Sequence, residues 1–328
     1  MIVFTCVNKE SEDAAIIWAA SLKDSLSRGK GGVKTYMFHT PDVDTTRFVD
    51  FNVVCVTIDG WEDPTSPSTE EILVKVLDLM IARDFTDRVL YTSTDVLWQG
   101  PVDELLDAPH TKDIWLAARN DNVFYDDKRN AKFYPHYDSR YKQKNKINPD
   151  GYFNGDVLFI LLAGLQQAVI RKRFRTLEEY CTTRRSMYGN SVEDCFNQLA
   201  GEYINLFDRF NAFAEDVLDL DFGELLAIRK KLNEAILINF RGVHKPWRET
   251  VSDDLPELAG SQYPFDVYLS CCETYVTYIT KSYMDKVRAN AKRYSMLSEW
   301  HSDILSKSST LKDKLVKFKD DIKAQTNA

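Results

Sequence analysis

Residues 88–100 read RVLYTSTDVLWQG: a β-branched and aromatic run that breaks into hydroxyls and one acid, then resumes as an apolar triplet. A short apolar run bounded by turn formers is the pattern of a buried strand. Ser93, Thr94 and Asp95 therefore fall where that strand ends. Outward from it, Ile2–Cys6, Val33–Phe38 and Val53–Ile58 repeat the strand pattern. They alternate with helical periodicity over Ala14–Leu26 and from about Thr69 to Arg83, the latter opened by the capping sequence STEE. Alternating strands and helices specify βαβ units and a mostly parallel sheet, whose ligands bind outside the carboxyl ends of the strands. The fold class expected is α/β, a Rossmann-like nucleotide-binding sheet.

Beyond residue 120 the pattern changes. Residues 120–150 are polar and aromatic with almost no periodicity and read as a long loop or lid. Gly151–Leu162 returns to strand character, Leu165–Cys181 and Val192–Ala200 to helix, and Ala235–Phe240 to a strand that runs into HKPW. Residues 281–328 carry eleven Lys and Arg against six Asp and Glu, about +5, whereas the chain as a whole is −8, which leaves about −13 for the rest. Within this end Leu311, Leu315, Phe318 and Ile322 share one helical face, ringed by lysines. A basic amphipathic helix of this kind either lies on an anionic membrane surface or packs on its own domain or a second copy of the chain. Three regions follow: residues 1–250 as the nucleotide-binding domain, 251–280 as a connecting segment, and 281–328 as a basic helical end.

Composition sets outer limits. With 328 residues, 44% hydrophobic and 28% charged, the chain can bury a sizeable core and is neither disordered nor fibrous. An overall charge of −8 is wrong for a nucleic-acid-coated protein, which needs clustered Lys and Arg. Cysteines 6, 55, 181, 195, 271 and 272 show no paired or metal-finger spacing and read as reduced thiols. The N-terminus lacks a basic and apolar leader, the longest apolar run, VLFILLAGL, is too short to span a bilayer, and there is no Asn-x-Ser/Thr acceptor. The expectation is a cytoplasmic protein, peripheral to a membrane if its last helix binds one.

A carboxylate at the carboxyl end of a parallel strand either ligates a hard divalent cation that neutralises a departing diphosphate, or caps its turn. Asp95 is open to both readings. RVLYTSTDVLWQGPVDELL resembles the strand and DxD element of family 8 glycosyltransferases, the group of galactosyl- and glucosyltransferases that includes glycogenin. Four more segments agree in order. IVFTCVN is similar to the first strand and uracil-binding turn, GYFNGDVLFI to the sugar-site strand, EDCFN to the helix start with its acids, and INFRGVHKPW to the loop that closes on the diphosphate.

The resemblance implies a GT-A type α/β fold with a helical C-terminal extension, a UDP-sugar donor, Mn²⁺ or Mg²⁺, and retention at the transferred sugar. Thr5, Cys6, Val7 and Asn8 would meet the base, and Lys75 stands near the position where the family carries an Arg that touches the donor, giving point-charge contact in its place. Ser93, Thr94, Asp95, Asn154, Gly155, Gly242, His244 and Lys245 would line the donor. Lys245 would lie over the leaving diphosphate.

The departures concern charge. Ser93 replaces the first Asp of DxD, and Asn239 replaces the loop His, so the expected metal ligands become Asp95, Ser93 and Asn239. Neutral oxygens hold hard cations weakly, and the ion is expected to bind weakly or to be dispensable. His244 is either a substitute ligand or a surface residue. The sugar site gains Asp156 and Glu193 beside Asp194. Glu193 stands where the family has Gln; its carboxylate either stabilises or attacks a cationic anomeric carbon, or simply favours a helix N-terminus. The function expected is hexose transfer from a UDP-sugar to a glycan or lipid-linked acceptor, the alternative being a nucleotide-sugar-binding module without turnover.

Overall fold

The computed structural model describes residues 1–29, 32–60, 67–85, 88–101, 114–120, 152–188, 191–214, 230, 232–240, 245–248, 262–292 and 295. The expected loop over 120–150, the basic helix past 311, Gly242 and His244 all lie outside these, apart from residue 120.

The chain opens with strand β1 (Ile2–Val7), helix α1 (Glu12–Ser27), β2 (Lys34–His39), β3 (Val54–Thr57), α2 (Thr69–Ala82) and β4 (Arg88–Thr92). These strands pair in parallel in the order β3-β2-β1-β4, with Ile2 opposite Lys34 and Val89. All six residues of β1 are buried, as a central parallel strand covered on both faces requires. Its two faces feed two cores. Val3 and Val7 join Trp18 and Ile17 of α1, whereas Phe4 and Cys6 join Ile72, Val76 and Leu77 of α2.

After β4 the chain turns at once into β5 (Val96–Trp98), and β6 (Leu116–Ala118) follows. Strand β7 (Val157–Leu161) enters the sheet against β4 in the opposite direction, with Thr92 facing Val157. Strand β6 continues the sheet beyond β7, and β8 (Ile204–Asn205) lies at its far edge. Of the seven strands only β7 runs against the rest. Because β7 is reversed, the turn that precedes it lies beside the turn that follows β4. A second sheet joins β5 to β10 (Leu237–Asn239) and β9 (Ala212–Phe213).

Helices α3 (Leu162–Arg171), α4 (Leu177–Tyr188) and α5 (Val192–Ala200) cover the α2 face. The single helix expected over Leu165–Cys181 is thus two. Arg173 takes a left-handed φ of 68°, and Asp78 of α2 accepts from the Leu177 and Glu178 amides at 2.8 Å, starting a new helix from outside. The strand expected from residue 151 begins only at Val157; before it Phe153 makes an isolated antiparallel bridge to Asn120, and residues 155–156 form a turn. Helix α6 (Gln262–Thr274) and the helical residues 281–292 place Tyr268, Cys272, Met284 and Val287 in the α1 core. Among the described residues no helix is long and apolar enough to cross a membrane. All six cysteines are free thiols.

Candidate active site

A cavity of about 560 Å³ opens at the carboxyl edge of β1 and β4. The turn after β1, the first turn of α2 and the turn after β4 line it, together with residues 154–156, the start of α5, Lys245 and Trp247. Carboxylates predominate on its walls: Glu10, Glu70, Asp95, Asp156 and Glu193. Among the described lining residues Lys245 is the cation.

The turn after β4 is tight. Ser93 N–H donates to the Asp156 carbonyl at 2.8 Å, which ties the two turns together, and Phe240 N–H donates to the Asp95 carbonyl at 2.9 Å. The Ser93 hydroxyl accepts from the Asp95 amide at 3.3 Å. The Asp95 carboxylate forms an ion pair with the Lys245 ammonium. Burial pulls the Lys245 pKa down, but the neighbouring Asp95 charge and hydrogen bond outweigh it, and the ammonium titrates above its ordinary range. Burial raises the Asp95 carboxyl above its ordinary range, and the Lys245 charge and hydrogen bond offset only part of that rise.

Beside it lies a buried amide cluster. Asn154 Oδ1 accepts from the Asp156 amide at 3.1 Å, from Asn211 Nδ2 at 3.0 Å and from Asn239 Nδ2 at 3.1 Å. Asn239 Nδ2 also reaches Asn211 Oδ1 and Asp156 Oδ2, both at 3.0 Å. Asn154 Nδ2 makes the second contact to Asp156 Oδ2, again at 3.0 Å. Asp156 is therefore gripped on one carboxylate oxygen by two amides. Arg119 supports the cluster from below, donating to the Asn211 carbonyl at 2.7 Å with its guanidinium 3.8 Å over the Phe213 ring.

Helix α5 supplies the next wall. Ser191 and Asp194 form a capping box, and Tyr152 Oη donates to Asp194 at 3.1 Å, so this fully buried carboxylate fixes the helix start beneath the cavity and does not line it. Glu193 does line the cavity and accepts the Gly155 amide at 2.6 Å. A Cβ added at Gly155 would come within 3.2 Å of Glu193 Cγ and would push that side chain back by a few tenths of an ångström. Asn197 pairs with both backbone groups of Phe153, at 2.8 and 3.1 Å.

At the β1 end, Thr5, Cys6 and Val7 are fully buried strand residues that do not reach the cavity, and burial raises the Cys6 thiol well above its usual range. Asn8 does reach it. Its Oδ1 caps Ser11 and its Nδ2 donates to the Pro67 carbonyl at 3.0 Å. Lys75 stands apart, its ammonium held by the Asp59 and Gly60 carbonyls at 2.8 and 2.9 Å. The structure thus assembles Ser93, Thr94, Asp95, Asn154, Gly155, Asp156, Glu193 and Lys245, with Asn239 just behind them.

Several residues that sequence reasoning passed over belong here. Glu70 sits in the first turn of α2, and its carboxyl is raised by the surrounding burial and by Asp156. Asn211 completes the amide cluster. Asn290 donates at 2.8 Å to both the Pro246 and Arg248 carbonyls and so braces Lys245 from the last described helix. EDCFN pointed to Asn197; nothing in the sequence pointed to Asn211 or Asn290.

The family model described as glycosyl transferase family 8 matches residues 72–251, more than half the chain. The chain belongs to that family. Its solved structural neighbours include the galactosyltransferase LgtC in complex with donor and acceptor sugar analogs, with TM-score 0.58 and 16% identity, covering 87% of this chain and all of LgtC. An active-site mutant of LgtC follows at TM-score 0.56 and 15% identity, covering 84% of this chain and 96% of that one. The bifunctional glycosyltransferase WbbM gives 0.54 and 17%, covering 75% of this chain and 46% of WbbM. No curated protein matches by sequence. The fold is that of a GT-A glycosyltransferase, and this family 8 chain is a glycosyltransferase.

The family implies a divalent cation at positions 93, 95 and 239. The residues present do not fit one. Asp95 is already neutralised by Lys245, and Ser93 is a neutral oxygen. Asn239 turns its amide nitrogen toward three oxygens, as a donor. Its Oδ1 is buried with no hydrogen-bond partner among the described residues and is neutral as well. Hard cations are held by several charged oxygens, and here the one acid in the set is spoken for.

Proposed function

We propose that the chain moves a hexose from a nucleotide-diphosphosugar, with uridine as the base, to a hydroxyl of a glycan or lipid-linked acceptor, with retention at the anomeric carbon. The observation that carries this reading is the convergence of Asp95, Asn154, Glu193 and Lys245 on one cavity at the carboxyl edge of the parallel strands. Diphosphate donors bind at that edge in open α/β sheets. Lys245 would face the leaving diphosphate and stabilise charge that grows as the sugar–oxygen bond breaks. The acceptor oxygen would form its new bond to the anomeric carbon on the same face, and its proton would pass to the departing phosphate oxygen. Carboxylates Glu193 and Asp156 would flank the positive charge that builds on the sugar ring.

Glu193 gives the site its own character. It stands where the family pattern has Gln, and the same exchange, glutamine to glutamate, defines the LgtC active-site mutant. The chain is proposed to act in the cytoplasm, with residues 1–250 as the catalytic region and residues 281–328 carrying any membrane or oligomer contact.

Incubation with a panel of nucleotide sugars, read by mass spectrometry, tests the proposal. Slow hydrolysis of a UDP-hexose, releasing UDP and the free sugar, supports it. Nucleotide binding without turnover would favour a binding module, and no binding by any nucleotide sugar would remove the proposal.

A further inference from the structure

Four anionic or polar groups at the β4 edge already have protein partners. The Asp95 carboxylate carries the Lys245 ammonium, and one oxygen of Asp156 carries amide protons from Asn154 and Asn239. Glu193 carries the Gly155 amide, and the Ser93 hydroxyl the Asp95 amide. A divalent ion entering this edge would share Asp95 with an ammonium at contact distance, and like charges repel more strongly there than in open solvent. It would gain only neutral oxygens from Ser93 and Asn239.

We propose that Lys245 takes the cation's place, so that this chain binds the diphosphate of its donor without a divalent ion. The inference rests on the donor-site reading above. An ammonium has three N–H donors, and Asp95 does not exhaust them. Lys245 and Asp95 are mostly buried, with side chains 24% and 19% exposed, so the charge is fixed in place before a ligand arrives. A second cation stands on the same turn, since Arg248 N–H closes onto the Lys245 carbonyl at 3.1 Å and its charge acts on Asp95. Asn290 ties both flanks of that turn to the helix over 281–292, so the cation is positioned by the fold. Asp95 would act as a positioning residue, holding Lys245 where phosphate oxygens arrive.

Calorimetric titration of UDP into the full chain tests this, first in EDTA and then in excess Mn²⁺. The affinities should agree within about threefold, and tightening by Mn²⁺ of more than about tenfold would overturn the proposal. Lys245→Ala should weaken UDP binding in EDTA by about tenfold or more, and Mn²⁺ should restore part of the loss because Asp95 is then uncovered. A lysine with a structural role only would give no rescue by Mn²⁺. If the variant binds UDP in EDTA as the native chain does, Lys245 is not the resident cation.

Should Lys245→Ala fail to fold, paramagnetic resonance of Mn²⁺ with the native chain decides the matter. Binding tighter than about millimolar would contradict the proposal, and free Mn²⁺ throughout would support it. If UDP binds under no condition, the donor-site reading itself fails.

Discussion

The two rims of the cavity are built in opposite ways. At the β1 rim, Asn8 and Ser11 close a three-residue turn by bonding each other, and Ser68 and Glu71 do the same at the start of α2. These caps bond within three residues, and longer reach comes only where Asn8 bonds Pro67 and Glu71 pairs with Arg185. At the β4 rim, Asp95 meets Lys245 across 150 residues, Asn154 meets Asn239 across 85, and Asn290 reaches Pro246 across 44. Local wiring makes a rigid edge from a short motif. Long-range wiring makes a site whose charge depends on the whole fold.

The largest effect should come from breaking the long-range rim at its centre. Asn239→Leu leaves Asn154 Oδ1, Asn211 Oδ1 and Asp156 Oδ2 without their shared donor, and chemical denaturation should show a loss of about 3 kcal/mol. A loss under about 1 kcal/mol would mean that the cluster is not wired as described. Gly164→Ala comes next. An added Cβ would lie 2.3 Å from Trp115 Cβ, where α3 packs on the segment leading into β6, and overpacking should cost about 2 kcal/mol in the same measurement.

Asn290→Ala should cost about 1 to 2 kcal/mol and also weaken UDP binding several-fold, because the brace of Lys245 goes with it. Asn8→Ala, at the local rim, should cost about 1 kcal/mol and weaken nucleotide binding less than Asn290→Ala does, since a cap, one strut and one cavity-lining side chain are lost while Lys245 stays braced. If Asn8→Ala proved worse for binding than Asn290→Ala, the contrast between the rims would collapse.

The smallest effect carries a pH signature. Partial burial pulls the Glu71 carboxyl up, but the Arg185 ion pair and the Ser68 bonds outweigh it, and the group titrates below its ordinary range. A depressed carboxylate stabilises above its unfolded pKa, and the gain fades as pH falls through the folded value. Glu71→Gln should therefore cost below about 0.5 kcal/mol near neutrality, with the difference vanishing in acid below the ordinary carboxylate range.

Legibility followed the same divide. The parallel half of the sheet could be read from RVLY, IVFTC and the capping sequence STEE because period and cap are local signals. STEE gave the right helix start at Thr69. Strands β6, β8 and β9 are two or three residues long and carry no period to detect. The break between α3 and α4 depends on Asp78, about 100 residues away. In the site, resemblance picked out Asp95, Asn154, Glu193 and Lys245. It could not say that Asp95 and Lys245 face each other, nor that Asn239 turns its amide toward Asp156, because pairing is a property of the folded chain. Lys75 and Asp194 show the reverse: motif position suited donor contact for Lys75 and a catalytic acid for Asp194, whereas in the fold Lys75 bonds loop carbonyls and Asp194 caps a helix.

Hydrogen–deuterium exchange of the full chain with and without saturating UDP tests the central claim most directly, because it reports both rims at once. Slowed exchange is expected in residues 8–11, 93–96 and 153–156, which border one cavity. Protection confined to the separate cavity beside Trp115, Arg171 and Lys172, or no protection at all, would contradict a nucleotide-sugar site at the carboxyl edge of β4.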